Sequence, residues 1–187
     1  MVDVTALWLP ILVAAVLVFF ASSISHMVLP FHRADYGRAP SEKQLQESLR
    51  SFNIPAGDFM VPCPGTPAEM KAPEFQEMFT KGPIVFMTVQ PTGSMAMGGK
   101  LGCWFIFCVF VGIFAGYVAG ITLPPGADYR VVFRVTGTVA FMAYGFALWE
   151  GVIWYNRSAM TALRSSIDSL VFGLLTAGAF GWLWPPA

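Results

Sequence analysis

Charge is what this chain has least of. Of its 187 residues only 11 are Lys or Arg and 11 are Asp or Glu, 12% in all, and the formal net charge is +0. A soluble domain carries about 25% charged residues, so the deficit points to the membrane class. The balanced charge leaves no bulk attraction for nucleic acid. Cysteine and histidine are also scarce, at three and two residues. Cys63, Cys103 and Cys108 form neither a disulfide framework nor a metal-ligand spacing, and they read as small apolar residues. No H-E-x-x-H, C-x-x-C or paired-carboxylate pattern is present. His26 and His32 have no Ser or Cys motif beside them. They lie six positions apart with Pro30 between them, so they are not expected to share a helix face. Without a catalytic constellation the chain does not read as an enzyme, and no cofactor or metal is implied.

What is abundant is apolar sequence, 56% of the chain. Leu7 to Leu29 is the first run. At about 1.5 Å per residue it reaches roughly 34 Å, enough for a hydrocarbon core of about 30 Å. No basic n-region precedes it and no A-x-A site follows, so it reads as a retained helix rather than a cleaved signal peptide. The second run is Leu101 to Leu123, ended by Pro124-Pro125-Gly126. The third is Val131 to Tyr155, with Arg134 near one end and Glu150 near the other. The fourth is Ile167 to Trp184. The expected fold is an all-α integral membrane protein, a four-transmembrane-helix bundle with a small α/β cytoplasmic insert between helices 1 and 2. The corresponding division is 1–30, the first helix; 31–100, the insert; and 101–187, a three-helix unit.

The insert has its own local signals. Ser41 with Gln44 forms a capping box, and Leu45, Leu49 and Phe52 recur at helical spacing, which predicts a helix over Glu42 to Asn53. Asp58 to Val61 predicts a strand. Thr66 and Pro67 open a short helical turn, and Pro73 opens a helix that Lys81 and Gly82 close. Pro83 to Val89 predicts a second strand, so that strand, helix and strand would make a crossover unit. Gly93 to Lys100 is rich in glycine and ends in Lys. Its spacing misses G-x-x-x-x-G-K, because Gly99 stands before Lys100 and Leu101 stands where Ser or Thr is needed. It reads as a flexible entry to the membrane with Lys100 at the headgroups.

Small residues recur every four positions on three runs: Gly112, Gly116 and Gly120; Ala143, Ala147 and Gly151; Gly173, Ala177 and Gly181. Such ridges let helices approach closely in lipid. They serve packing within the chain, self-association, or docking on other integral membrane subunits. The polar groups inside or beside the spans are His26, Arg134, Glu150 and Lys100, and each needs a partner, water or the headgroups. Arg134 and Glu150 are sixteen residues apart, about 24 Å along one helix, so they do not pair with each other. The candidates to pair with Glu150 are His26, Lys100 and Arg157.

Arg33, Arg38, Lys100, Arg157 and Arg164 gather on the insert side and Arg130 on the other. The positive-inside rule then places the insert in the cytoplasm and both termini outside, in a bacterial plasma membrane. The function expected is that of a small non-enzymatic membrane protein, an accessory or scaffold subunit of a larger complex or a homo-oligomer. The alternative is a minimal oligomeric channel or transporter lined by His26, Arg134 and Glu150.

Overall fold

The computed structural model describes residues 1–93 and 97–187. The protein is mostly helical with one small two-stranded sheet. It divides into two compact units, Met1–Tyr36 with Ala96–Ala187, and Gly37–Met95. The first unit therefore keeps residues 31–36, which the sequence reading assigned to the insert.

In the first unit, Asp3 caps a 3-10 turn over Val4–Leu7 by accepting from the Thr5 N–H at 2.8 Å. Helix α1 follows, Trp8–Ser23, and continues as a π-helical turn over Ile24–Val28. Pro30 disfavours helical backbone at the residue before it. Leu29 is accordingly extended, at φ −77 and ψ 144, and the chain turns there into a short 3-10 segment, Pro30–His32. Helix α5 is Met97–Thr122, helix α6 is Tyr129–Gly145, helix α7 is Leu148–Tyr155 and helix α8 is Ala159–Trp182.

Three stretches are long and apolar enough to cross a membrane: Val4–Val28, Met97–Thr122 and Tyr129–Tyr155. Only 33%, 39% and 22% of their apolar windows are buried inside the protein, so most of their side chains face outward. Those outward residues include Phe20, Phe110, Phe114, Ile153 and Trp154. An outer surface this apolar fits lipid, not water. The third run is not one unbroken α-helix. At Phe146 and Ala147 the winding tightens, and Trp149 N–H donates to the Phe146 carbonyl three residues back at 3.2 Å. The fourth helix begins at Ala159 rather than Ile167, because Ser158 caps it by accepting from Thr161 N–H at 3.3 Å. That early start puts Arg164 on the same helix as Asp168.

The helices pack through small residues. Helix α1 lies against α5 and α8, and α6 lies mainly against α8. The ridge of α5 meets α1, α8 and the N-terminal segment ahead of α1. A Cβ at Gly112 would meet Ile11 at 3.2 Å, and one at Gly116 would meet Phe180 at 3.1 Å. At Gly120 a Cβ would collide with the Val2 carbonyl, and the Gly120 carbonyl itself accepts from Val2 N–H at 2.8 Å. On α8, Gly173 lies against Gly137 and Phe141, Ala177 is fully buried, and Gly181 lies against the Tyr129 ring. Ala143 and Ala147 are exposed. The packed face of α6 carries Thr136, Gly137, Ala140 and Gly145 instead, and Gly151 on α7 has Arg157 as its neighbour. The core gathers Leu7, Ile11, Ala115, Val132 and Phe180 in one cluster and Ala15, Val18, Cys108 and Phe172 in another.

The second unit contains helix α2, Glu42–Ser51; strand β1, Gly57–Val61; helices α3, Pro67–Met70, and α4, Pro73–Lys81; and strand β2, Val85–Val89. Thr66 caps α3 as its position implies. Ser41 does not cap α2: its backbone is left-handed, at φ 51, and its hydroxyl makes no cap bond. The strands are antiparallel, Gly57 opposite Val89 and Val61 opposite Val85, so the unit is not a crossover. A crossover helix would deliver parallel strands. Here Ala72 is extended ahead of Pro73, the helical stretch is split in two, and the chain doubles back. Phe75 is the only buried residue among the described residues of this unit.

Candidate functional site

The polar groups of the first unit converge where the chain leaves α1. The π-helical turn carries Ser25 and His26, the next turn carries His32, and Asp35 lies three residues on. Helix α8 faces them with Arg164 and Asp168, one helical turn apart. The neck between α1 and the second unit is thereby bonded to α8.

Each bond in the cluster is short and made by named atoms. His32 Nδ1 lies 2.5 Å from Asp35 Oδ2, and His32 Nε2 lies 2.6 Å from Asp168 Oδ2. Ser25 Oγ donates to Asp168 Oδ1 at 2.8 Å. Arg164 Nη1 donates to Asp35 Oδ1 at 2.9 Å. His26 stacks on His32 with ring centroids 4.1 Å apart and 24° between planes, and its Nε2 is 3.5 Å from Asp168 Oδ2. The His32, Asp35 and Asp168 side chains are 8%, 10% and 11% exposed, whereas His26 is 51% exposed. The cluster thus has a buried base and one open wall.

Burial alone would push the His32 imidazole down, but the hydrogen bonds and charges of Asp35 and Asp168 outweigh it and hold His32 above its ordinary value. A carboxylate beside each ring nitrogen favours the protonated ring, the form in which both nitrogens donate. Burial would likewise raise Asp35. The bonds from His32 and Arg164 outweigh it, and Asp35 is held below the usual carboxylate value. With His32 in that form the group is one Arg and one imidazolium against two carboxylates, with His26 beside them. Such a network is self-neutralising, which is what makes its burial tolerable.

Chemically the arrangement does two things. It fixes the neck to α8 with bonds that span 129 to 143 positions of sequence. It also brings three donor atoms, one each from His26, His32 and Asp168, within 4.8 Å of one another.

The sequence-derived candidates fare differently. Of the four polar residues singled out beforehand, only His26 belongs to this cluster. Arg134 is exposed and lines a groove between α6 and α8 with Phe133, Gly137, Phe141 and Gly173. Glu150 is exposed in the first turn of α7. Among the described residues no ion pair includes either of them. Lys100 stands exposed in the first turn of α5, and the tract before it falls partly on residues 94–96, outside the described residues. His32, Asp35, Arg164 and Asp168 were not assigned a joint site from sequence. Two signals were available: an acid three residues after a histidine just past a helix end, and Asp168 as the single ionisable residue of the fourth apolar run.

Comparison of the chain with protein-family models, with curated proteins and with solved structures gives no match.

Proposed function

We propose that this chain is a non-enzymatic accessory subunit of a membrane assembly, a four-helix anchor that holds its polar insert at a fixed exit point. The observation that carries the reading is the bonded neck. His32 and Asp35 are tied to Asp168 and Arg164 immediately before the insert begins at Gly37. A flexible tether would not need buried charges at its root. Among its described residues the insert buries only Phe75 and leaves Leu49, Phe52, Met70, Phe86 and other large apolar side chains exposed. A two-stranded sheet with so small a core is marginal by itself. It gains stability from another surface, and in an accessory subunit that surface is a neighbouring chain.

In this reading α8 is the fourth crossing. Its 24 residues reach about 36 Å at 1.5 Å per residue, and its polar residues Arg164 and Asp168 are neutralised by the neck rather than facing lipid. Four crossings put both termini on one side and the insert on the other. The cations of the insert side make that side cytoplasmic by the positive-inside rule, in a bacterial plasma membrane. The channel alternative draws less support, since no described hydrogen bond or ion pair links His26 with Arg134 or Glu150.

The test is purification of the full chain from its native membrane in mild detergent, followed by native mass measurement. The expected result is a particle heavier than one chain, with other subunits in fixed stoichiometry or with additional copies of this one. A monodisperse monomer without partners overturns the proposal.

A further inference from the structure

We propose that His26, His32 and Asp168 form a binding site for a divalent transition-metal ion, with zinc as the type case. The inference goes beyond the accessory-subunit reading and does not depend on it.

The donor set is the first argument. Two imidazoles and one carboxylate are ligands for zinc and its neighbours in the first transition row, whereas calcium and magnesium prefer oxygen alone. His26 Nε2 and His32 Nε2 stand 3.5 Å and 2.6 Å from Asp168 Oδ2, so one carboxylate oxygen is shared between both rings. Ligands at zinc distances of about 2.0–2.1 Å in a tetrahedron sit roughly 3.3 Å from each other. The His26 distance already fits. The His32 distance needs to open by under about 1 Å, the stacked rings, with centroids 4.1 Å apart, need to splay so that both Nε2 lone pairs meet at one point, and the ion displaces the proton held between His32 Nε2 and Asp168 Oδ2.

The outer layer is the second argument, and it is independent of the first. Metal-bound histidines hold their far nitrogen on a carboxylate or carbonyl, which fixes the ring and directs its other lone pair at the ion. Asp35 does this to His32 Nδ1, and Arg164 in turn holds Asp35. Ser25 occupies Asp168 Oδ1 and so leaves Oδ2 for the ion. The π-helical turn supplies the rest. Its extra residue per turn alters the direction of the helix end, and turns of this kind are frequent at functional sites. Half-exposed His26 gives the ion a path in and leaves at least one coordination position open to water or to a ligand from another chain.

The experiment uses the full chain in detergent, stripped with a chelator and then titrated with Zn2+ by calorimetry, with Co2+ absorption as a report of geometry. The wild type is expected to take one ion per chain and to give the intense visible bands of low-symmetry Co2+. Asp35→Asn is expected to weaken binding ~10–100-fold through the outer layer, and His32→Ala to abolish it. Because His32→Ala also removes bonds that fix the neck, His26→Ala is the deciding variant. It leaves the bonds among His32, Asp35, Arg164, Asp168 and Ser25 in place and is expected to bind at least ~10-fold more weakly with altered Co2+ bands. Wild type that takes up no ion, or His26→Ala that binds as tightly as wild type with the same spectrum, overturns the proposal.

Discussion

Arg164 and Asp35 lie 129 residues apart in sequence, and the Arg164 guanidinium donates to the Asp35 carboxylate at 2.9 Å. The pair joins α8 to the neck, with the Asp35 side chain 10% exposed and that of Arg164 22% exposed. Removing Asp35 leaves the Arg164 guanidinium without its carboxylate, and removing Arg164 leaves Asp35 with His32 as its remaining partner; for a largely buried pair such losses reach about 3 kcal/mol. Asp35→Asn and Arg164→Ala are each expected to lower stability by that order. The double variant is expected to fall short of the sum by about 1–3 kcal/mol, since the two share one interaction. Equilibrium unfolding in mixed micelles measures all three, and strictly additive losses would show that the pair carries no coupling.

The same cluster sets a pH window for the metal-free protein. His32 is raised above 6.5, so its contribution is complete below about pH 6.5 and disappears as pH rises through the raised value. Asp35 is lowered below 3.8, so its contribution is complete above that value and disappears as pH falls through the lowered one. The groups facing them are Asp168 and Arg164 from α8 and His26 from the π-helical turn. With a chelator present, the unfolding midpoint is expected to be highest between about pH 4 and 6.5 and to decline on the alkaline side. His32→Gln is expected to remove that alkaline decline. An equal decline in His32→Gln would assign it to another group.

Packing gives a sharper contrast. At Gly120 an added Cβ collides with the Val2 carbonyl, a backbone atom held in place by its own neighbour Val2 N–H on Gly120 O. At Gly102 an added Cβ meets nothing within 4 Å. Gly120→Ala is expected to cost about 1–3 kcal/mol by overpacking. Gly102→Ala is expected to be neutral or to stabilise by up to about 1 kcal/mol, because Ala is the better helix former. Thermal unfolding of both in the same detergent decides it.

Much of this fold is legible in hydropathy and in punctuation by Pro and Gly. The three apolar stretches, the helix from Pro73 to Lys81 and both strands follow from local composition. The site is less legible, because its residues come together through one backbone event. On a continuous helix, His26 and His32 would point apart. Pro30 prevents that continuation, Leu29 goes extended, and the chain folds His32 back onto His26 at 4.1 Å. The break that argued against a shared face is what creates it. Asp168 was hidden for a different reason. Inside an apolar run it looks like an exception, and its role is visible only when α8 is set beside α1. The small-residue stripes show the same limit. Spacing identifies Gly112, Gly116 and Gly120 as a smooth face, but not that α1 and Phe180 fill it. Strand direction was likewise not encoded locally, since the split at Pro73 decides whether the chain crosses over or doubles back.

The cysteines report orientation. Cys63 is exposed in the second unit, Cys108 is buried against Ala15, Val18 and Phe172, and Cys103 lies within the span Met97–Thr122. A thiol in hydrocarbon is not ionised and does not meet a water-soluble maleimide, because the thiolate is the reactive form. Cys63 is therefore the one expected to label rapidly in intact membranes, and only from the side that holds the insert. With the insert cytoplasmic, a membrane-impermeant maleimide leaves the protein unmodified on intact cells and modifies one site per chain in inverted vesicles. Cys63→Ser removes that signal while leaving the helices untouched, which separates labelling of the insert from slow entry to Cys103. Prompt modification of Cys63 on intact cells would reverse the orientation and place the His26, His32 and Asp168 cluster at the outer face, where it would meet external rather than cytoplasmic metal ions.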